Sequence, residues 1–274
     1  ELKQTLIEGQ GEMQLNMVKT VLEKQYKIPT EFVKPRISYR ETIQGHSIAN
    51  YRHKKQSGGA GQFAEVHLRL DPYIADHPIP VEYKARETQL IDLPWGGKLE
   101  FVNCIVGGAI DTRFVPSVLK GIMENMTEGP VTHSPVRDVR VCLFDGKMHP
   151  VDSNEMAFKI AASHAFQEAF LNARPKLLEP IMELEVLTPD DTMGDVMTDL
   201  QNRRAIILGM EAEGKFQKLL AKVPLAELYK YATSLRSITQ GRGVYSQKFA
   251  DYALVSEGLK DAIVKDLKLT TKEE

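Results

Sequence analysis

The segment Lys54–Phe63, KKQSGGAGQF, places three glycines in four positions behind two lysines. Three kinds of chemistry fit such a stretch. A phosphate-gripping loop of the nucleotide-hydrolysing type needs G-x-x-x-x-G-K-[ST] between a strand and a helix. Here Gly61 leads into Gln62 and Phe63 and then into a strand-like run, so that chemistry is disfavoured. The bland alternative on spacing alone is a plain hairpin tip. The third possibility is a nucleic-acid contact. Arg52, His53, Lys54 and Lys55 bring positive charge, and Gln56 and Ser57 bring short hydrogen-bonding groups. Gly58, Gly59 and Gly61 let a backbone approach RNA closely and offer its N–H groups.

A second candidate loop is DGKMHPVDSNE, residues 145–155, in which His149 precedes Pro150. No serine or cysteine is placed by pattern to be activated by His149, so a nucleophilic triad is not expected. If this loop lies beside the first, His149 and Gln56 could read RNA shape or base edges together. A third candidate is SLRSITQGRG, residues 234–243, where Arg236 and Arg242 flank Ser237, Thr239 and Gln240. Helix-end chemistry explains part of it, because cations suit a helix C-terminus and Gly241 suits the C′ position. The polar cluster between the arginines would suit phosphate and ribose contacts. Glu168 and Glu179 have no paired carboxylate at catalytic spacing, and no Cys/His spacing matches a zinc site.

The elements that must position these loops are clearest in the C-terminal part. Residues 181–187 read as a strand. Thr188-Pro189-Asp190-Asp191 then starts a helix with Met193, Val196, Met197 and Leu200 at helical spacing. Strands over 204–212 and 215–223 join at Glu213-Gly214. A helix from about Pro224 carries Leu228, Tyr231, Ala232 and Leu235, and a last strand covers 243–252. The order β-α-β-β-α-β is that of a ferredoxin-like unit. The N-terminus gives only half of one. Residues 4–8 and 28–34 read as strands around a helix with Met13, Met17, Val21 and Leu22 facing inward. In the mixed middle region, Val66, Leu68 and Leu70 alternate with polar residues, and strands are expected over 99–106 and 136–144. One helix starts near Pro116. Another runs from Glu155 to Arg174, capped by Asp152 with Glu155 three residues on. Residues 77–98, with three prolines and the single Trp, read as a long connection. The tail, TTKEE, is expected to fray.

The chain has 274 residues, a net charge of −2 and 26% charged residues, enough for two or three domains. Such a balance leaves any anionic partner to local basic patches. No apolar run is long enough for a membrane span, and the first residues lack a signal pattern. The absence of a starting Met reads as a piece of a longer protein. Cys104 and Cys142 sit in apolar stretches and are expected to be buried reduced thiols in a cytoplasmic protein.

These stretches together resemble the C-terminal part of translation elongation factor G, in the family's order. The carrying residues are EGQGEMQLNMV (8–18), KPRISYRETI (34–43), KKQSGGAGQF (54–63), VDSNEMAFKIAASHAF (151–166), LLEPIMELEV (177–186), GDVMTDLQNRRAIILGME (194–211) and VPLAELYKYATSLRSITQGRG (223–243). The resemblance implies an α+β chain in three parts. Residues 1–36 are the second half of domain III, a half ferredoxin-like unit. Residues 37–178 are domain IV, with an S5-domain-2-like α/β fold. Residues 179–274 are the ferredoxin-like domain V and a tail helix that packs back toward domain IV. It implies a ribosome-binding, monomeric fragment of a translational GTPase that promotes tRNA–mRNA translocation. Lys54, Lys55, Gln56, Ser57, Gly58, Gly59, Gly61, Gln62 and His149 would enter the small-subunit decoding centre. Arg236, Ser237, Gln240 and Arg242 would meet the sarcin–ricin loop of the large subunit. GTP and magnesium would belong to a G domain that these residues do not include, so no catalysis, cofactor or metal is expected of this chain. Recycling with the ribosome recycling factor, or ribosomal protection by drug eviction, is the alternative role. Ala60 stands where the usual pattern has arginine, and 77–98 is longer than the usual connection. Both features look more like elongation factor G-like paralogues.

Overall fold

The computed structural model describes residues 4–9, 11–56, 61–80 and 82–270, and the chain divides into two units. One comprises residues 1–38 and 179–253, the other residues 39–178 and 254–274.

The first unit carries α1 (Glu12–Lys24), the C-terminal part of β7 (Pro175–Pro189), α4 (Met193–Asn202), β8 (Ile206–Glu213), β9 (Phe216–Pro224), α5 (Tyr231–Ile238) and β10 (Val244–Leu254). Its sheet runs β10-β7-β9-β8, and residues 181–189 of β7 pair antiparallel with β9. This is the ferredoxin-like strand order that the β-α-β-β-α-β pattern implies. Alternation along β7 and β9 sends Leu184, Val186, Leu219, Ala221 and Val223 to one face. There they meet Val196 and Leu200 of α4 and Tyr231 and Leu235 of α5. A short 3-10 turn, Leu225–Leu228, precedes α5, so that helix starts later than Pro224 suggests.

The N-terminal expectations are corrected. Residues 4–9 and 27–38 carry no strand, because none of their backbone joins a ladder. Helix α1 forms where expected but buries none of its residues, and Met13 is 84% exposed and Met17 62%. Periodicity shows which residues share a helix face. It cannot show that another element covers that face.

The second unit holds β1 (Arg40–Ile43), β2 (Ser47–Lys55), β3 (Gln62–Pro72), β4 (Glu87–Asp92), β5 (Lys98–Asn103), α2 (Val115–Thr127), β6 (Val139–Lys147), α3 (Glu155–Asn172) and α6 (Glu257–Thr270). Its main sheet has the order β2-β3-β6-β5-β4, antiparallel except for the β5–β6 pair, whose crossover carries α2. Strand β1 pairs separately with residues 175–178 of β7. Helices α2 and α3 cover one sheet face. Val66, Leu68, Leu70, Phe101, Val141 and Leu143 pack there against Val118, Ile122, Phe158, Phe166 and Phe170. The two helices approach so closely that a Cβ on Gly121 would lie 2.2 Å from the carbonyl oxygen of Lys159.

The stretch read as a long connection over 77–98 has structure of its own. It contains β4, hairpinned to β5 through left-handed Gly96 and Gly97. Ile79 and Tyr83 close a small second core with Val102, Cys104, Cys142 and Phe144 on the other sheet face. Buried Arg140 pairs with Glu100 there and donates to the carbonyls of His77 and Pro78. Both cysteines are free and buried, and burial pushes the Cys142 thiol up to about 12, which suits inert thiols.

Candidate nucleic-acid interface

The two candidate loops of the second unit lie side by side. Strands β2 and β3 form a hairpin in which Lys55 faces Gln62 and Lys54 faces Phe63. Strand β6 runs to Lys147, three residues past the expected end, so the second loop is residues 148–154. The backbone N–H of Phe63 donates to the carbonyl of Asp152 at 2.9 Å. The Ser153 hydroxyl donates to the carbonyl of Phe63 at 2.7 Å and accepts the His149 N–H at 2.8 Å. The Phe63 and His149 rings meet edge to face, with centroids 6.3 Å apart. A Cβ on Gly61 would lie 2.6 Å from Oδ1 of Asp152, so the glycine lets the carboxylate tuck under the hairpin end.

Helix α3 explains why Asp152 and Ser153 are available. Its N-cap is Asn154, whose side chain accepts from the N–H of Ala157 at 2.9 Å. The expected cap, Asp152, is therefore corrected. Asp152, Ser153 and Asn154 are all cap-forming types, and pattern alone cannot choose among them. The fold caps with the third and ties the loops with the other two.

The basic residues of the hairpin divide into two groups. Arg52 is bound to Glu65 at 2.6 Å, and Nε2 of His53 lies 2.9 Å from Oε1 of Gln62. Burial raises the Glu65 carboxyl, but bonds from Arg52 and His67 outweigh it and hold the group below its ordinary value. Lys54, Lys55, Gln56 and Lys147 are exposed, and the His149 side chain is 51% exposed. Ser57, Gly58 and Gly59 lie outside the described residues, as does Ala60. Sequence reasoning missed Lys147 as a neighbour of the site; its register position opposite Glu65 on β3 places it there.

The helix-end segment of the first unit is built differently. Thr239 is fully buried, donates to the carbonyl of Leu235 at 2.8 Å and accepts from the N–H of Gly243 at 2.8 Å. Gln240 and Gly241 both have positive φ, 53° and 80°. Gln240 rather than Gly241 therefore occupies C′, and the Gly241 N–H reaches back to the carbonyl of Arg236 at 2.8 Å, a Schellman closure. Arg242 pairs with Asp191 at 2.9 Å. The Arg236 guanidinium lies against the backbone of Gly11, where a Cβ would sit 2.2 Å from Nη1. Arg236 and Ser237 remain exposed. Among the described residues no cluster of three or more His, Cys, Asp or Glu is placed to hold a metal ion. None of the helices described is long and apolar enough to cross a membrane.

The chain thus carries a ferredoxin-like unit and a two-helix, mixed-sheet unit that bears the lysine-carrying double loop. Comparison with known proteins gives the family. The model of elongation factor G domain IV matches residues 35–92 and 82–174, and that of the elongation factor G C-terminus matches 176–263. An elongation factor G-like protein of Thermotoga maritima is 41% identical over 275 residues, covering all of this chain and 37% of that protein. A crystal structure of a Thermus thermophilus protein superposes with a TM-score of 0.78 at 38% identity, over 95% of this chain and 36% of that one. The chain belongs to the elongation factor G family and carries its C-terminal domains. It spans little more than a third of the length of these relatives.

Proposed function

We propose that this chain is the ribosome-engaging part of an elongation factor G-like translational GTPase, acting on tRNA and mRNA in the cytoplasm. The observation that carries the proposal is the tie between Phe63 and the Asp152–Ser153 pair. It makes one surface from two loops that are about ninety residues apart in sequence. Lys54, Lys55 and Lys147 give that surface positive charge, and His149 and Gln56 give it directed polar groups.

The mechanism is steric and electrostatic. The tip that bears Lys54, Lys55, Gln56, Gln62 and His149 enters the A site of the decoding centre and opposes back-slippage of tRNA. Arg236 and Ser237 add a contact to large-subunit ribosomal RNA, with Gln240 and Arg242 contributing less because the fold already uses them. Lysine–phosphate contacts supply salt-dependent affinity through counterion release. A pre-tied tip loses less ordering entropy on each engagement than a loose loop would. GTP and magnesium would act in the G domain of the whole factor, and this chain supplies binding and positioning.

The test is single-round translocation on purified ribosomes by the full-length factor, comparing GTP with a non-hydrolysable analogue. Fast movement with GTP alone supports a hydrolysis-coupled translocase. Equal movement with both supports action by occupancy of the A site. No movement with either overturns translocation and leaves recycling or drug protection as the role.

A further inference from the structure

Nδ1 of His149 faces two backbone donors, the N–H of Asp152 at 3.2 Å and that of Val151 at 3.4 Å. Both belong to a turn fixed by Ser153, whose N–H donates to the carbonyl of His149 at 3.2 Å and whose hydroxyl bridges the His149 N–H and the Phe63 carbonyl. The Asp152 Oδ2 is 3.3 Å from Nδ1, while Oδ1 lies under Gly61. A backbone N–H cannot turn away as a side chain can. With two fixed N–H groups aimed at it, Nδ1 is placed to accept, which favours a proton on Nε2 over an Nδ1–H bond to Asp152 Oδ2 at 3.3 Å.

We infer that Asp152 and Ser153 are positioning residues, which hold His149 in the Nε2–H form and aim that N–H outward as a donor to an acceptor atom of RNA. The inference rests on the proposed ribosomal role for its partner and deepens it. The imidazole acts by donating a hydrogen bond, not by stacking and not as a base. Its donor is in place before RNA arrives, because the turn that sets the ring also ties the second loop to the β2–β3 hairpin.

Two measurements decide it. The first is nitrogen-15 NMR of the chain's imidazoles at a pH where His149 is neutral, with His149→Gln identifying the signal among the seven histidines. The expected result is Nε2–H with an acceptor Nδ1, and an Nδ1–H form overturns the inference. The second is ribosome affinity of the variants. A glutamine amide reaches the place of Nε2 and an asparagine amide that of Nδ1. His149→Gln is expected to keep affinity within about threefold, while His149→Asn and His149→Ala lose about tenfold, as for one lost hydrogen bond. Ser153→Ala is expected to fall toward the His149→Ala level and Ser153→Thr to restore most of it, with melting temperatures checking the fold. Equal losses for His149→Gln and His149→Asn overturn the donor role. Failure of the unaltered chain to bind ribosomes overturns the proposed function and the RNA contact with it, whereas the NMR result still decides how the ring is held.

Discussion

The double loop of one unit and the helix end of the other have similar compositions, with arginines or lysines, glycines, and serine or glutamine within ten residues. They use them differently. At the helix end Thr239, Gln240 and Arg242 are committed to closing α5 and to Asp191, leaving Arg236 and Ser237 at the surface. At the double loop Arg52 and His53 are committed within the hairpin, the lysines stay exposed, and His149 commits Nδ1 and its backbone N–H to the turn while half of its side chain stays exposed. Residue types identify a polar cluster. Only the partners of each side chain separate those that build the fold from those left for a ligand.

The sharpest test of this contrast is Gly61→Val. A side chain there displaces the Asp152 carboxylate and pulls the two loops apart, since backbone and carboxylate cannot both keep their places. Ribosome affinity should fall about 30-fold, the equivalent of roughly 2 kcal/mol, with little change in melting temperature. Binding equal to that of the unaltered chain would break the claim that the loops act as one surface. Thr239→Val should do the reverse. Loss of a buried hydroxyl with two bonds costs about 1–3 kcal/mol of stability, and ribosome affinity of the folded fraction should hold. Chemical denaturation paired with ribosome binding separates the two effects.

A smaller difference is expected between the two arginines. Arg236→Ala should reduce the salt slope of ribosome binding by about 1 if the guanidinium meets a phosphate. Arg242→Ala should change it less, because Asp191 already pairs with it. Equal slopes for both variants would remove the distinction drawn between them.

Glu41 supplies the mildest comparison, as a fold-building polar residue in the unit that carries the double loop. Its carboxylate accepts from the N–H groups of Val131 and Thr132 and from the Thr132 hydroxyl. Burial raises its pKa above the ordinary value, and those bonds only partly offset it. The folded state therefore holds the proton more tightly than the unfolded chain. Stability from this group is fully present below the unfolded pKa, near 4.5, and is lost as pH rises through the raised folded value. Denaturation curves from pH 4.5 upward should show that loss, and Glu41→Gln should abolish it while leaving ribosome affinity unchanged.

The ferredoxin-like unit was legible in the sequence because its core strands alternate and its turns carry Gly, Pro or Asp. The N-terminal segment misled because a strand needs a ladder partner and a helix face needs a cover, and neither is written in residues 4–38 themselves. Strand β4 was missed for a related reason, since its edge position leaves Glu87, Thr88, Leu90 and Asp92 exposed and blurs the alternation. The P-W-G-G turn at 94–97 was the available hairpin signal. At the site, His149 and the lysines were visible as types. The Ser153–Phe63 bond was not, because it joins residues 90 apart and competes with a capping role that Asn154 performs.

The most direct test of the double loop as the working surface is single-round translocation by the full-length factor carrying His149→Ala. The expected result is movement slowed about tenfold, as for one hydrogen bond lost in the rate-limiting state. Unchanged movement at saturating factor would contradict a role for His149 at the tip.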